Sequence, residues 1–316
     1  MHNTALAIAW AERSLIEHGY NINSPLEPVR EMPWSSVSRF STSQGFVYFK
    51  QMAEPFAIEP VLLRFLEKKL LAKVPHVIDM ERSFLCFLMK GSGTTLRNIL
   101  KADYQTDLVS KTLKMYAKIQ LDVIKHADEL LTLGVPDWRL AKLPELYLEL
   151  ISQRDLLRCD GLIDTEITTL QHLYPKFCEL CTQLAAYKIP ETIEHGDFHD
   201  NNILLEDQDV FINDWGDATI SHPFFSLASW LNSAERNHAL KATDPRTLML
   251  QNAYLTIWQE YAPLDKLIEI LSVVKKIRHF QFALNFRRVN ECQGMDKLKQ
   301  FHGYMADALR DFIAIF

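Results

Sequence analysis

His195-Gly196-Asp197-Phe198-His199-Asp200-Asn201-Asn202-Ile203-Leu204-Leu205 runs into a polar tetrad, Glu206-Asp207-Gln208-Asp209, and resumes as Val210-Phe211-Ile212-Asn213-Asp214-Trp215-Gly216-Asp217. Two short apolar runs about a polar turn read as a β-hairpin. If the tetrad is the turn, Leu205 faces Val210, and Asn202 comes to lie opposite Asn213 and beside Asp214. An amide and a carboxylate then meet at the open end of the ribbon. Oxygen ligands of this kind, few and leaving room for water and phosphate, suit magnesium carried on a nucleotide, because that small hard cation is seldom caged by protein alone. Asp197, in the irregular loop before Asn202, would project toward the same place, where a carboxylate can orient the proton of an attacking hydroxyl. Singly, each of these residues would be ordinary turn chemistry.

Upstream, residues 5–17 carry Ile8, Ala11 and Leu15 at helical spacing and stop at Gly19. Val37-Ser38-Arg39-Phe40 and Phe46-Val47-Tyr48-Phe49-Lys50, separated by Ser43-Gln44-Gly45, predict a hairpin. Residues 59–73 predict an amphipathic helix ended by Val74-Pro75, and 76–80 and 84–89 are strand candidates about Glu81-Arg82-Ser83. Beyond Gly93 the texture is helical: residues 108–133, 143–157, 165–187, 224–238, 247–262, 264–290 and 295–316 repeat apolar residues three and four apart. Residues 191–194 and the hairpin form a β island within this part. The expected organisation is α+β and two-lobed: residues 1–92 as a small antiparallel sheet with an inserted helix, and 93–316 as a large, mainly helical lobe, with Gly91-Ser92-Gly93 at the boundary.

A chain of 316 residues that is 48% hydrophobic can bury a substantial core. Its 34 Lys and Arg against 40 Asp and Glu, interspersed to a net −6, argue against nucleic acid or membrane as partner, which reward clustered basic surface. No apolar run is long enough to span a bilayer and no signal-like segment opens the chain, so a cytoplasmic protein is expected. The cysteines, Cys86, Cys159, Cys178, Cys181 and Cys292, are odd in number and lack framework spacing, which fits free thiols. With 10 glycines there is no glycine-rich phosphate fingerprint.

His195-Gly196-Asp197, four residues, Asn202, an apolar hairpin and then Asp214-Trp215-Gly216 resembles the aminoglycoside phosphotransferase and choline kinase family, a branch of the protein-kinase-like fold. The likeness extends over most of the chain and is strongest between Thr192 and His222. It implies an ATP-dependent small-molecule kinase, with GTP left open as donor, in which Asp197 is the catalytic base and Asn202 and Asp214 hold Mg2+. Lys50 and Glu59 would form the ion pair that holds the α- and β-phosphates, with Glu54 competing for the acidic role. Ser35 and Ser36, in Trp34-Ser35-Ser36-Val37, fall where aminoglycoside kinases carry a serine-bearing nucleotide loop, although a plain polar turn is the alternative. Residues 87–90, Met89 among them, fall where a hinge strand gives backbone hydrogen bonds to adenine. The chain departs from the family at Ser226, where relatives commonly have an aspartate that braces the catalytic loop, and at Asp217, an extra carboxylate that reads better as an acceptor of backbone donors than as a metal ligand.

Two readings from other classes compete. His195, Asp197, His199 and Asp200 form an H-x-D-x-H-D cluster suited to zinc or iron in a metal-dependent hydrolase. A non-catalytic kinase-like binding module is the other, and the presence of Lys50, Asp197, Asn202 and Asp214 argues against it. The partner expected is a small-molecule hydroxyl acceptor, bound by a monomer or homodimer near Tyr116, Gln120, Trp138, Arg139, Trp230 and Arg287. Aminoglycosides, choline-like alcohols, sugars and homoserine-like metabolites all stay open, with Arg287 and Arg288 disfavouring a polycation.

Overall fold

The computed structural model describes residues 4–91, 93–207, 209–293 and 300–316, with the backbone alone for 291–293. Ser92, Gln208, the Cys292 side chain and the part of the last predicted helix at 295–299 lie outside the described residues. The chain opens with α1 (Thr4–Glu17), β1 (Glu27–Met32), β2 (Ser35–Thr42), β3 (Gly45–Met52), α2 (Glu59–Leu70), β4 (Val77–Glu81), β5 (Cys86–Lys90) and β6 (Thr94–Thr95). Helices α3 (Leu96–Leu100), α4 (Thr106–Val123), α5 (Ala127–Leu133), α6 (Leu143–Ser152), α7 (Arg154–Cys159) and α8 (Asp164–Ala186) follow. Then come β7 (Thr192–Glu194), β8 (Ile203–Glu206), β9 (Asp209–Ile212), β10 (Thr219–Ser221), α9 (Phe224–His238), α10 (Pro245–Leu255), α11 (Leu264–Gln293) and α12 (Tyr304–Ile313). An antiparallel sheet followed by a mostly helical remainder is the expected fold class.

Two compact units emerge: the chain up to Thr95 together with Ile203–Gly216, and Leu96–Asn202 together with Asp217–Phe316. In the first, five antiparallel strands lie in the order β1-β2-β3-β5-β4. Strand β3 is central, and Lys50 on it faces Val37 of β2 and Phe87 of β5, so both ladders fix its backbone. Ala7, Ala11 and Leu15, one face of α1, join Phe40, Phe49 and Leu88 in a single buried cluster. Helix α2 begins with Glu59 and Pro60, where a missing amide costs nothing, and ends short of the predicted Lys73 because Leu71 turns left-handed at φ 52°. A second, three-stranded sheet runs β6-β8-β9, with Leu205 paired to Val210 and Ile203 to Ile212, the register expected from the polar tetrad.

In the second unit, the rings of Tyr147, Phe177, Phe280 and Phe312, from α6, α8, α11 and α12, pack together. The predicted helix over 108–133 is broken into α4 and α5 by a 3-10 turn at Ile124–His126. Strands β7 and β10 pair antiparallel, setting Glu194 opposite Thr219. Among the described residues no helix is long and apolar enough to cross a membrane. Cys86, Cys159, Cys178 and Cys181 are free thiols.

Candidate functional site

In the first unit, Lys50 Nζ lies 2.6 Å from Glu59 Oε2 and 2.6 Å from Asp214 Oδ1. Strand β3 supplies the lysine and the first turn of α2 supplies the glutamate. Asp214 follows β9 in a left-handed conformation at φ 65°, and Trp215, fully buried, anchors the turn by donating from Nε1 to the Ile212 carbonyl at 2.9 Å. Burial by itself would depress the Lys50 ammonium, but the Asp214 and Glu59 carboxylates outweigh it and hold its pKa above the ordinary value. Burial drives the Glu59 carboxyl the other way, above its ordinary value, against the pull of Lys50. Two carboxylates share one ammonium. Glu54 lies instead in a 3-10 turn after β3, and Glu59 is the lysine's partner.

In the second unit, β7 leads into the loop that carries Asp197 and Asn202. Asn202 Nδ2 donates to the Asp197 carbonyl at 2.9 Å and to Asp197 Oδ2 at 3.1 Å, which ties the two ends of the loop together. Among the described residues no hydrogen bond uses the Asn202 carbonyl oxygen, so an oxygen ligand for a metal remains on that side chain. His199 Nε2 stands 3.2 Å from Asp197 Oδ2. Against the upward push of burial, His199 and Asn202 hold the Asp197 carboxyl down at about 2. Burial works against the His199 imidazolium as well, and the Asp197 carboxylate overcomes it, so the imidazole pKa is raised. The Asp197 side chain is 50% exposed, so it can reach a bound molecule.

The base of this loop is held by groups that strand and helix periodicity did not single out. Glu194, buried at the end of β7, accepts from the Gly196 amide at 2.9 Å, from Ser226 Oγ of α9 at 2.9 Å and from Gln281 Nε2 of α11 at 2.9 Å. Asn285, one turn further along α11, donates to the Gly196 carbonyl at 3.1 Å. The carboxylate under the loop is therefore Glu194, and Ser226, the residue at which the chain departs from the family pattern, is one of its donors. Gly196, at φ 81°, has no room for a side chain: a Cβ there would sit 2.4 Å from the Asp217 carbonyl oxygen.

The H-x-D-x-H-D sequence cluster does not gather into a metal site. Asp200 is taken by Arg97 of α3 at 2.7 Å and His238 of α9 at 2.6 Å, and His195 is buried beside the Tyr116 ring. Among the described residues, no group of three or more His, Cys, Asp or Glu side chains is arranged to hold a metal ion. Ser35 and Ser36 open β2, next to the Pro33-Trp34 turn, and pair with Met32 and Glu31 on one side and Met52 and Gln51 on the other. A strand, β1, thus precedes them. Met89 lies near the end of β5, opposite Tyr48 and Val77. Of the side chains expected near an acceptor, Tyr116, Gln120 and Trp230 are core: Gln120 donates to the Ile193 carbonyl at 2.8 Å, and Tyr116 shares a hydrogen bond with Ser226 at 2.7 Å. Arg287 is bound to Glu149 at 2.9 Å.

The sequence pattern of the phosphotransferase enzyme family (APH) matches residues 61–264 of the chain. Solved structures share its fold at low identity. An ethanolamine kinase from Plasmodium vivax superposes with a TM-score of 0.65 at 14% identity, covering 98% of this chain and 89% of that one. A choline kinase from Streptococcus pneumoniae gives 0.65 at 12% identity, covering 98% and 99%. An aminoglycoside 2'-phosphotransferase in its GDP complex gives 0.63 at 16% identity, covering 98% of each chain. No curated protein sequence is significantly similar to the chain.

Proposed function

The chain belongs to the phosphotransferase enzyme family, and from that premise we propose that it is an ATP-dependent small-molecule kinase that moves the γ-phosphoryl group to a hydroxyl. The observation that carries the reading is the Lys50 ammonium, buried on a central strand and 2.6 Å from each of two carboxylates. A cation fixed in this way neutralises α- and β-phosphates without having to reorganise when they arrive. Ser35 and Ser36 would add hydroxyl and backbone contacts to phosphate, and the backbone at Met89 would meet the base.

Asp214 and Asn202 each offer an oxygen of the kind magnesium takes. The Asp214 side chain is 35% exposed, and Asn202 keeps its carbonyl oxygen out of the hydrogen bonds that lock the loop. Magnesium bound there would supply charge neutralisation across the phosphates. Asp197 acts on the acceptor. With a pKa of about 2 it is a carboxylate at any physiological pH and a weak base, so it orients the hydroxyl toward phosphorus and takes the proton only as the new O–P bond forms. His199 and Asn202 hold that carboxylate in a single orientation, which is where positioning contributes most.

The test is consumption of ATP, or of GTP in a parallel series, across a panel of hydroxylated metabolites. Asp197→Asn should keep nucleotide binding and lower turnover roughly 10²–10⁴-fold. Transfer at the parental rate would remove Asp197 from this role, and unaltered magnesium-nucleotide affinity in Asp214→Ala would remove Asp214 from the metal.

A further inference from the structure

The second unit contains a cavity of about 410 Å³ walled by α9, α11 and α12, away from the residues assigned above. Arg236 of α9 and Arg278 of α11 both open onto it. The amide orientation that these two donors require makes the Asn232 carbonyl accept from Arg236 Nη2 at 3.0 Å and from Arg278 Nη2 at 2.9 Å, so a single neutral oxygen serves two guanidiniums. Among the described residues the acids of the cavity make no close ion pair with either guanidinium, although Asp311 attracts Arg278 at longer range. Asp311 faces His279 at 3.5 Å, Asp307 pairs with Arg310 at 3.1 Å, and Glu235 acts on the neighbouring Lys275. Among the described residues neither Arg236 nor Arg278 forms a salt bridge with a carboxylate, and Arg278 Nε is buried without a hydrogen-bond partner. Burial, reinforced by Arg236 and opposed by Asp311 and Glu194, pushes the Arg278 pKa down to about 10. Arg236 is exposed, but the half-buried Arg278 guanidinium, with no carboxylate in contact and its Nε unpartnered, would be relieved by an anion entering the cavity.

The same two helices hold the loop of Asp197. Arg278, Gln281 and Asn285 follow one another at helical spacing on α11; Gln281 holds Glu194 and Asn285 holds Gly196. At 1.5 Å per residue, Arg278 lies about 10 Å along the helix from Asn285, roughly the length of a small metabolite. On α9, Ser226 holds Glu194, and Asn232 and Arg236 follow on the way to the cavity.

We propose that Arg236 and Arg278 form a binding site for an oxyanionic group, carboxylate or phosphate, and that in the kinase reading this group belongs to the hydroxylated acceptor. The substrate class is then an anionic alcohol, such as a hydroxy acid or a phosphorylated polyol, in preference to a polycation. Paired N–H donors on planar guanidiniums match either anion bidentately, which a lysine cannot do.

Two measurements on the full chain decide it. In the first, without nucleotide or magnesium, binding of inorganic phosphate and of glycerate is followed by calorimetry in the parent, Arg236→Gln, Arg278→Gln and Lys276→Gln. Arg236 and Lys276 are both exposed, so their variants should fold even if the one at Arg278 does not. Each arginine variant should weaken binding roughly tenfold or more, the loss typical of a charge-assisted hydrogen bond, with Lys276→Gln unchanged. Equal losses in Lys276→Gln, or no binding by the parent, overturn the site. In the second, phosphoryl transfer to glycerol, glycerate and glycerol phosphate is compared. An acceptor role predicts preference for the anionic alcohols, and Arg236→Gln should raise their KM while leaving kcat near parental. Transfer confined to neutral or cationic alcohols, indifferent to Arg236, refutes the acceptor assignment and leaves the kinase reading standing. Arginine-dependent phosphate binding without transfer to any alcohol would support the site as one for a free anion and count against the kinase reading.

Discussion

Ser226 Oγ donates to Glu194 Oε1 at 2.9 Å, and through Glu194 it reaches the Gly196 amide at 2.9 Å, so a helix side chain and a strand side chain together hold the residue before Asp197. Burial pushes the Glu194 carboxyl up from 4.5 to about 7, although the Gly196 amide, Ser226 and Gln281 all pull it down.

The raised carboxyl sets a direction for stability against pH. Between 4.5 and about 7 the folded chain keeps a proton that the unfolded chain gives up, so stability is fully present below 4.5 and falls as pH rises toward 7. At roughly 1.4 kcal/mol for each tenfold gain in proton affinity on folding, the loss amounts to a few kcal/mol. Glu194→Gln, which cannot titrate, should lack this fall. Urea unfolding of both chains from pH 4.5 to 8 checks it, because His222, pushed down to about 3 by burial, is common to both and drops out of the difference, and Asp197, held at about 2, stays ionised throughout. Parallel curves would show that Glu194 does not titrate in this window.

Lys50→Met should destabilise the chain by about 3–5 kcal/mol, since it strands the fully buried Glu59 beside Asp214 with no cation. Lys50→Met with Glu59→Gln should recover a good part of that loss by removing one of the repelling charges. Chemical denaturation of the single and double variants measures it; equal stability would mean that the pair is not coupled.

Gly93 and Gly45 both have positive φ, 60° and 97°, but in different surroundings. A Cβ on Gly93 would fall 1.6 Å from the Leu205 carbonyl oxygen, whereas one on Gly45 meets nothing within 4 Å. Gly45→Ala should therefore cost only about 1–2 kcal/mol of backbone strain. Gly93→Ala should cost distinctly more, because β6 must part from β8. Thermal midpoints of the two variants compare them, and similar values would mean that the β6–β8 pairing yields without penalty.

How much of this was legible depended on where the signal lay. The hairpin register was readable because two apolar runs about a polar tetrad allow one in-phase pairing, and Leu205 opposite Val210 is what forms. Periodicity put Lys50 at a strand end and Glu59 at a helix start, and the family resemblance is what paired them, with Glu54 left as a competitor. Strand β1 was hidden: Glu27-Pro28-Val29-Arg30-Glu31-Met32 is an exposed edge with a proline at a register irregularity, and it lacks the alternation that marks a half-buried strand. Glu194 was hidden for another reason. A glutamate at a strand end ordinarily points to water, and its burial depends on Ser226 and Gln281, which arrive from helices later in the chain. The Arg236–Arg278 pair was equally out of reach, since nothing local joins residues on separate helices.

The hairpin of β8 and β9 completes the first unit although it is encoded far downstream of it. Strand β6 has no partner until β8 exists, the Lys73 carbonyl waits for the Ile212 amide at 3.0 Å, and Lys50 waits for Asp214, 164 residues later. At roughly 5–20 residues per second of translation, the lysine emerges from the ribosome on the order of ten seconds or more before its second carboxylate. The N-terminal sheet is thus an unfinished nascent intermediate for much of synthesis, and a fragment ending at Thr95 would lack both the cover for β6 and half the counter-charge of its buried lysine.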